Sequence, residues 1–412
     1  MKRLFSIGSG LFIYSIIPVL SWIILSFVLG DDRIANVFSI CYAFQFVWII
    51  FRCFFGSGAN IRKEKEHDKN AVWNSIFWGT IFSIIIFSLP IIFIDEYITF
   101  FGQNIDFYKI YVIYGIAQLF EQTLVQFIIE KLYFEDKEKL ANIHLFSFNI
   151  INFLIVILLC ACIPNTFVAL LITLGIMLIY VVCLYIWQFE KFKIDFKFFK
   201  NLRYESSNII NALFMFVIYT FGYRNAFQAG EEYLLALNLV ALCTDTQWDM
   251  LTARDTVAKV DIAKNRYNYK KEMRNAYFYT IILALSSVIM TFILVAFIDV
   301  SIPIVVVYLL FQVLDMMMDT YAIILGIYTQ IEYSPALNTT LNIFTMVLWT
   351  ILSVSIMSPY CTDIGRISQS IVLFVAFILI RFMKYKIVDG KLIVKNKNNK
   401  SQNSENREIS ED

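Results

Sequence analysis

Four aspartates stand in stretches that are otherwise apolar enough for hydrocarbon: Asp245 and Asp249, then Asp315 and Asp319. Each pair is spaced i,i+4, which sets both carboxylates on one face of a helix. An aspartate at the centre of a membrane helix costs roughly 2.5–3.5 kcal/mol, so four facing lipid would cost on the order of 10–14 kcal/mol. They must face a water-filled cavity or a partner group. The first face continues through Asn238 and Thr252, the second through Tyr308 and Gln312. Tyr114, Gln118 and Glu121 form a third stripe, with Gln122 beside it. Two carboxylates four residues apart in a low dielectric cannot both ionise cheaply. A proton or a sodium ion relieves that conflict, so these pairs are candidate cation-coupling sites. The plain alternative is hydration near a membrane face, and it applies most to Asp249, close to the end of its span. Paired carboxylates also suit the acid and base of an intramembrane transferase. Short loops, no neighbouring histidine and no nucleotide motif weigh against that enzyme.

The remaining chemistry-bearing residues are sparse. Seven scattered cysteines form no CxxC pair and no disulfide framework, and read as small hydrophobes. His67 and His144 are far apart and unsupported by other ligands, so no histidine metal centre is expected. The net charge of +1 gives no sign of a nucleic-acid partner.

Positioning these groups falls to helices. The chain of 412 residues is 59% hydrophobic and only 16% charged, against about a quarter charged in soluble domains. Lipid must therefore solvate much of the surface, and the bilayer is the first expected partner. About 20 apolar residues cross hydrocarbon as a helix. Spans fall at 4–29, 34–56, 71–94, 107–129, 141–163 and 165–187, then at 206–228, 233–257, 277–298, 302–328, 336–357 and 364–386. The run after Met1-Lys2-Arg3 is too long for a signal-peptide core and reads as a retained first span.

Lysine and arginine test the count independently. With the N-terminus cytoplasmic, the inner loops and tail hold 28 of them and the outer loops only Arg33, Lys109, Arg224 and Arg366. Twelve spans satisfy the positive-inside rule; a missed span would invert every later loop. Arg52 and Arg254, at inner span ends, read as snorkelling residues. The expectation is an all-α membrane protein with about twelve transmembrane helices and both termini in the cytoplasm. Residues 1–187 form a six-helix bundle, 188–205 a basic, hinge-like linker, and 206–386 a second six-helix bundle. Residues 387–412 read as a disordered cytoplasmic tail. Weak echoes relate the halves: Trp48 with Trp248, and Asn70-Ala71 with Asn275-Ala276.

Three stretches resemble the multidrug and toxic compound extrusion family of the wider multidrug, oligosaccharidyl-lipid and polysaccharide exporter superfamily. They are Pro18 with Gly30-Asp31-Asp32-Arg33-Ile34-Ala35, the span end Gly56-Ser57-Gly58-Ala59-Asn60, and Phe311-Gln312-x-x-Asp315. The resemblance covers the whole topology and a few dozen residues specifically. It implies two bundles around a central cavity and efflux of a small-molecule substrate driven by sodium or proton entry. Asp315 is then the cation-site aspartate, with a sodium ion there the one metal implied and no other cofactor. Asp319, Asp245 and Asp249 join it as coupling residues, and Gln312, Glu121, Gln118, Tyr114, Asn238 and Tyr308 line the cavity. Acidic and aromatic walls suit cationic or amphipathic organic substrates. A lipid-linked oligosaccharide flippase of the same superfamily is the nearest alternative, and it would need a cationic cavity. The chain is expected to act as a monomer in a bacterial plasma membrane. The topology predicts that a cysteine introduced at 102–106 reacts with an impermeant reagent added outside cells, while one at 264–271 does not. Equal labelling of both, or the reverse, contradicts it.

Overall fold

Backbone N–H and C=O groups find no partners in hydrocarbon, so each apolar run closes its own hydrogen bonds as a helix. A computed structural model describes residues 1–41, 44–355 and 359–395. The first half holds α1 (Lys2–Leu29), α2 (Val37–Cys41), α3 (Phe44–Phe51), α4 (Gly58–Glu66), α5 (Ala71–Ile92), α6 (Ile94–Phe100), α7 (Ile105–Phe134), α8 (Glu138–Cys162) and α9 (Thr166–Gln188). The second holds α10 (Leu202–Ala229), α11 (Glu231–Ala263), α12 (Tyr269–Val295), α13 (Ile302–Tyr328), α14 (Pro335–Ser355) and α15 (Cys361–Lys384). A hairpin of β1 (Tyr385–Val388) and β2 (Lys391–Val394) follows.

Each of the twelve expected spans is helical over most of its described residues. Among the described residues, ten helical segments are long and apolar enough to cross a membrane, and α10 and α11 are the other two. The second span is composite: α3 runs through a π-helical turn at Arg52–Ser57 into α4. Several helices outrun their apolar windows, because charged residues remain good helix formers once clear of hydrocarbon. Thus α7 continues to Phe134 and α11 to Ala263. Side-chain caps set other boundaries, with Asn104, Asn165 and Asn268 accepting from Phe107, Val168 and Lys271 backbone N–H groups. Gly30 closes α1 in the left-handed region, at φ 69°, where a side chain would strain the turn. Large apolar side chains such as Ile92, Leu158, Ile179 and Phe297 stay exposed on the flanks, as lipid-facing residues do.

The halves form two helical bundles that meet where α1 packs on α11 and α3 packs on α10. The linker is tied to the first bundle. The Asn70 side chain bonds both backbone groups of Lys193, at 2.7 Å each. Asn74 does the same to Asp195, through its carboxylate and N–H, and Trp78 donates to the Asp195 carbonyl at 2.8 Å. The expected hinge is therefore a strap fastened to α5. The expected tail from 387 also begins differently, since Asp389-Gly390 turns the chain into the hairpin. Tyr385, fully buried, bonds Thr329, and Tyr328 donates to the Leu392 carbonyl. The rest of the expected tail, 396–412, lies outside the described residues.

Both described ends of the chain lie at one end of the molecule, here the terminal end, and ionic contacts between the bundles seal it. Arg3 bonds Asp261 at 2.9 Å. Asp136 takes Lys264 at 2.7 Å and Arg266 at 2.5 Å. Lys65 pairs with Glu332 and bonds Asn265 at 2.7 Å. Partial burial of Asp136 opposes its charge, but hydrogen bonds from Arg266 and Lys264 outweigh it and hold the carboxyl down at about 2. A depressed carboxylate stabilises the fold above its unfolded value and loses that contribution as pH falls through its folded value. Asp136→Asn should therefore lower stability by about 1 kcal/mol or less. The difference from wild type, measured by thermal unfolding in detergent, should stay constant from about pH 8 to 5 and shrink only below about 4. A difference that changes between pH 8 and 5 contradicts this assignment.

Candidate functional site

Midway along α1, within the first bundle on the side where α11 packs against it, lies a small cavity of about 50 Å³. Tyr14, Trp22 and Trp48 supply aromatic faces, Gln45, Gln118 and Gln122 amides, and Asp249 of α11 the one carboxylate. Tyr14 stacks on Trp48 with ring centroids 5.3 Å apart and donates to Gln122. Asp249 accepts from the Ser15 hydroxyl of α1, and Thr252 caps back onto the Asp249 carbonyl. Aromatic faces around a carboxylate attract a bound organic cation.

A second cavity lies inside the second bundle, where Asp245, Tyr308, Gln312 and Asp363 meet beside Tyr219. Trp248 donates to the Gln312 carbonyl at 2.9 Å, and Gln312 donates to Asp363 at 2.8 Å. Tyr308 is anchored to the Pro359 carbonyl at 3.0 Å. Next to this chain Asp315, 1% exposed, accepts from Arg366 Nε at 2.5 Å and from the Ser370 hydroxyl. The Arg366 guanidinium is sandwiched between the rings of Trp248 and Trp349, at 5.1 and 4.9 Å. One turn on, Asp319 accepts from Arg254 at 2.9 Å, and Arg254 also donates to Thr320 at 2.6 Å.

The expected residues thus divide. Asp245, Tyr308 and Gln312 come together, as do Gln118 and Asp249. Asp245 and Asp249 serve different cavities although they lie one turn apart. Asp315 and Asp319 do not compete for one cation, since each carboxylate has its own arginine. A guanidinium stands at Asp315 where the sodium ion was expected, and among the described residues no three His, Cys, Asp or Glu side chains converge as metal ligands. Tyr114 donates to Asn152 of α8 at 3.3 Å, and Glu121 is buried with Oε2 unpartnered among the described residues. Asn238 takes a long hydrogen bond from Ser39 across the bundle interface.

Sequence reasoning missed Arg366 and Asp363, because a span begun at 364 left both at its edge while α15 begins at Cys361. Their i,i+3 spacing opposite two membrane carboxylates was the available signal. The snorkelling reading of Arg52 and Arg254 is also corrected. Arg52 binds buried Glu130 at 2.6 Å and reaches Thr256 of the other bundle at 3.1 Å. Lipid gives a guanidinium no hydration, so a carboxylate on a facing helix wins over the route to the interface.

At the end opposite the termini the bundles part. A cleft of about 860 Å³ opens between Arg33, Asn36 and Tyr108 on one side and Glu232, Asp299 and Ser301 on the other. The molecule is open there and sealed at the terminal end.

No family model matches the chain, and no curated protein matches it. Solved structures do. A transporter of the MOP superfamily from Pyrococcus furiosus, described as having a binding pocket of reverse polarity that suggests a different function, is similar at a TM-score of 0.68 and 14% identity, over 92% of this chain and 95% of that one. An outward-facing multidrug resistance MATE family transporter gives 0.61 at 14% identity, over 93% and 95%. A MATE in complex with MaD5 gives 0.63 at 15% identity, over 92% and 95%. The chain has the fold of the MATE transporters, a multi-pass membrane fold of two helical bundles.

Removing one partner of a buried ion pair leaves an uncompensated charge and costs about 3–5 kcal/mol. Arg366→Gln should lose that much by denaturant or thermal unfolding in detergent, and adding Asp315→Asn should recover most of it. Additive losses would show that the pair does not hold this site.

Proposed function

We propose that this chain is a secondary active transporter that exports small organic, cationic or amphipathic compounds by alternating access, coupled to entry of a proton or sodium ion. It works as a single chain in a bacterial plasma membrane, terminal end inward, and changes no bond in its cargo. The observation that carries the reading is the charge balance at mid-membrane. Asp315 is paired with the guanidinium of Arg366, and Asp363, one turn earlier on α15, accepts from the neutral Gln312 amide in the cavity that Asp245 also lines, while Arg254 is engaged by Asp319 and Asp255. Hydrocarbon does not tolerate surplus anions, so the cluster must acquire a cation or expel one as its access to water changes.

The roles then separate by place. The cavity of Tyr14, Trp48 and Asp249 lies within the first bundle at its seam with α11, where a passing cation meets aromatic faces and a carboxylate of the second bundle. Asp245 and Asp363 hold the coupling cation beside it, with Gln312 passing the polarity of one cavity to Trp248. Substrate and coupling cation draw on neighbouring turns of α11, so occupation of one site biases the other, and the coupling must be reciprocal. The ionic seal at the terminal end and the cleft at the other support alternation, because the seal must break for the terminal end to open. The flippase alternative calls for free cationic groups toward the pocket. Here Arg52, Arg254, Lys259 and Arg366 are each held by a carboxylate.

In vesicles carrying the purified protein, efflux of tetraphenylphosphonium should follow an imposed proton or sodium gradient. Asp245→Asn should reduce gradient-driven efflux at least about tenfold, the scale of one lost charge contact, while leaving insertion intact. Asp249→Asn should weaken tetraphenylphosphonium binding about tenfold, the order of a carboxylate and cation–π contact, and keep the gradient response of what still binds. Full gradient-driven efflux by a well-expressed Asp245→Asn protein would sink the coupling assignment.

A further inference from the structure

The strap between the bundles does more than connect them. It leaves α9 as Gln188-Phe189-Glu190-Lys191-Phe192-Lys193-Ile194-Asp195-Phe196-Lys197-Phe198-Phe199-Lys200, basic and aromatic side chains interleaved. Its acids are engaged. Glu190 binds Lys131 at 2.8 Å, and Asp195 is held by Asn74 at 2.9 Å. Its bases are not: Lys191, Lys193, Lys197 and Lys200 are exposed, and none is in an ion pair among the described residues. Several apolar side chains between them are exposed too, Ile194 at 60% and Phe196 at 68%, while Phe198 is buried. Because α5 fastens the strap by its backbone, these side chains point where the fold holds them.

Directly beneath the strap, α5 and α9 leave an open apolar groove of about 470 Å³. Trp73 and Ile81 form one wall, Tyr185 the other, and Phe189 and Phe192 of the strap its rim. The rim is packed, with Phe189 5.4 Å from Trp73 and Phe192 5.8 Å from Phe77, centroid to centroid. The groove faces lipid at the level where the α9 span ends, well away from both transport cavities.

We propose that this groove binds the acyl chain of an anionic phospholipid, whose headgroup is held by the strap lysines. A chain-shaped apolar slot takes any lipid tail; the four unpaired ammonium groups above it select a negative headgroup. Juxtamembrane lysines attract anionic lipids, and aromatic side chains among them seat the segment at the interface. The bound lipid would fasten the strap, and with it the first bundle, to the bilayer while the second bundle moves.

Trp73 provides the probe. The protein is reconstituted in phosphatidylcholine bilayers containing a minor share of phosphatidylglycerol, with one or the other lipid brominated on its acyl chains. Quenching by bromine needs contact, and the Trp73 contribution is wild type minus Trp73→Phe. Brominated phosphatidylglycerol should quench Trp73 about tenfold beyond its share of the bilayer, the order that several screened lysines supply. The Lys191→Gln, Lys193→Gln, Lys197→Gln, Lys200→Gln protein, altered only at exposed side chains, should still show quenching but lose the preference. Equal quenching by both lipids in wild type overturns the proposal. So does a preference that survives removal of the four lysines. Loss of quenching at higher protein density would mean that a second copy covers the groove, and overturns it as well.

Discussion

The Arg366 guanidinium lies between Trp248 and Trp349 with Asp315 on its Nε, and the inner architecture of the second bundle is arranged around that contact. A guanidinium in hydrocarbon needs both a counter-charge and flat, polarisable neighbours. Asp315 supplies the first from α13, and tryptophans of α11 and α14 supply the second. One side chain of α15 thus draws three other helices together. The same indole of Trp248 that covers Arg366 donates to Gln312, and Gln312 orients Asp363. Asp363 can lie one turn from Arg366 and beside Asp315 because that fixed positive charge offsets part of the cost of two buried carboxylates.

The two ends of the molecule are held by different forces. At the terminal end the bundles are joined by charge pairs in contact with water, such as Asp136 with Lys264 and Arg266, which are individually weak and easily exchanged. Along α11 they are joined by close packing on α1 and a few polar contacts, Ser15 of α1 with Asp249 and Arg52 after α3 with Thr256 among them. A transition that trades exposed ion pairs for water while sliding a packed seam needs no unfolding of either bundle. The strap follows the first bundle, since Asn70, Asn74 and Trp78 bind its backbone.

Much of this was legible in the residues. Apolar run length located the spanning helices, because the bilayer imposes that signal regardless of packing. The mid-membrane aspartates announced a polar interior for the same reason. Their partners were not legible, because pairing is decided by which helices face each other. Asp315 and Asp319 read as a conflicted pair along one helix, whereas across the bundle each meets an arginine. Arg366 was misplaced for a simpler reason: three polar residues and a glycine at the start of α15, Thr362, Asp363, Arg366 and Gly365, look like loop when judged by hydropathy. The strap read as a hinge because its backbone acceptors and donors are claimed by asparagine side chains 120 residues earlier, a match no local pattern contains. The hairpin after Lys384 was hidden within a basic stretch whose Asp389-Gly390 turn is a two-residue signal.

The central claim is that a cation resides on the Asp245 and Asp363 cluster and leaves as cargo binds in the cavity beside Asp249. Calorimetric titration of tetraphenylphosphonium into the detergent-solubilised protein, in two buffers of different protonation enthalpy and with or without sodium, counts that cation directly. The account predicts about one proton released per cation bound, or binding that weakens as sodium rises, by the reciprocity of linked sites, and the loss of either effect in Asp245→Asn. Tight binding with no proton released and no response to sodium would contradict it.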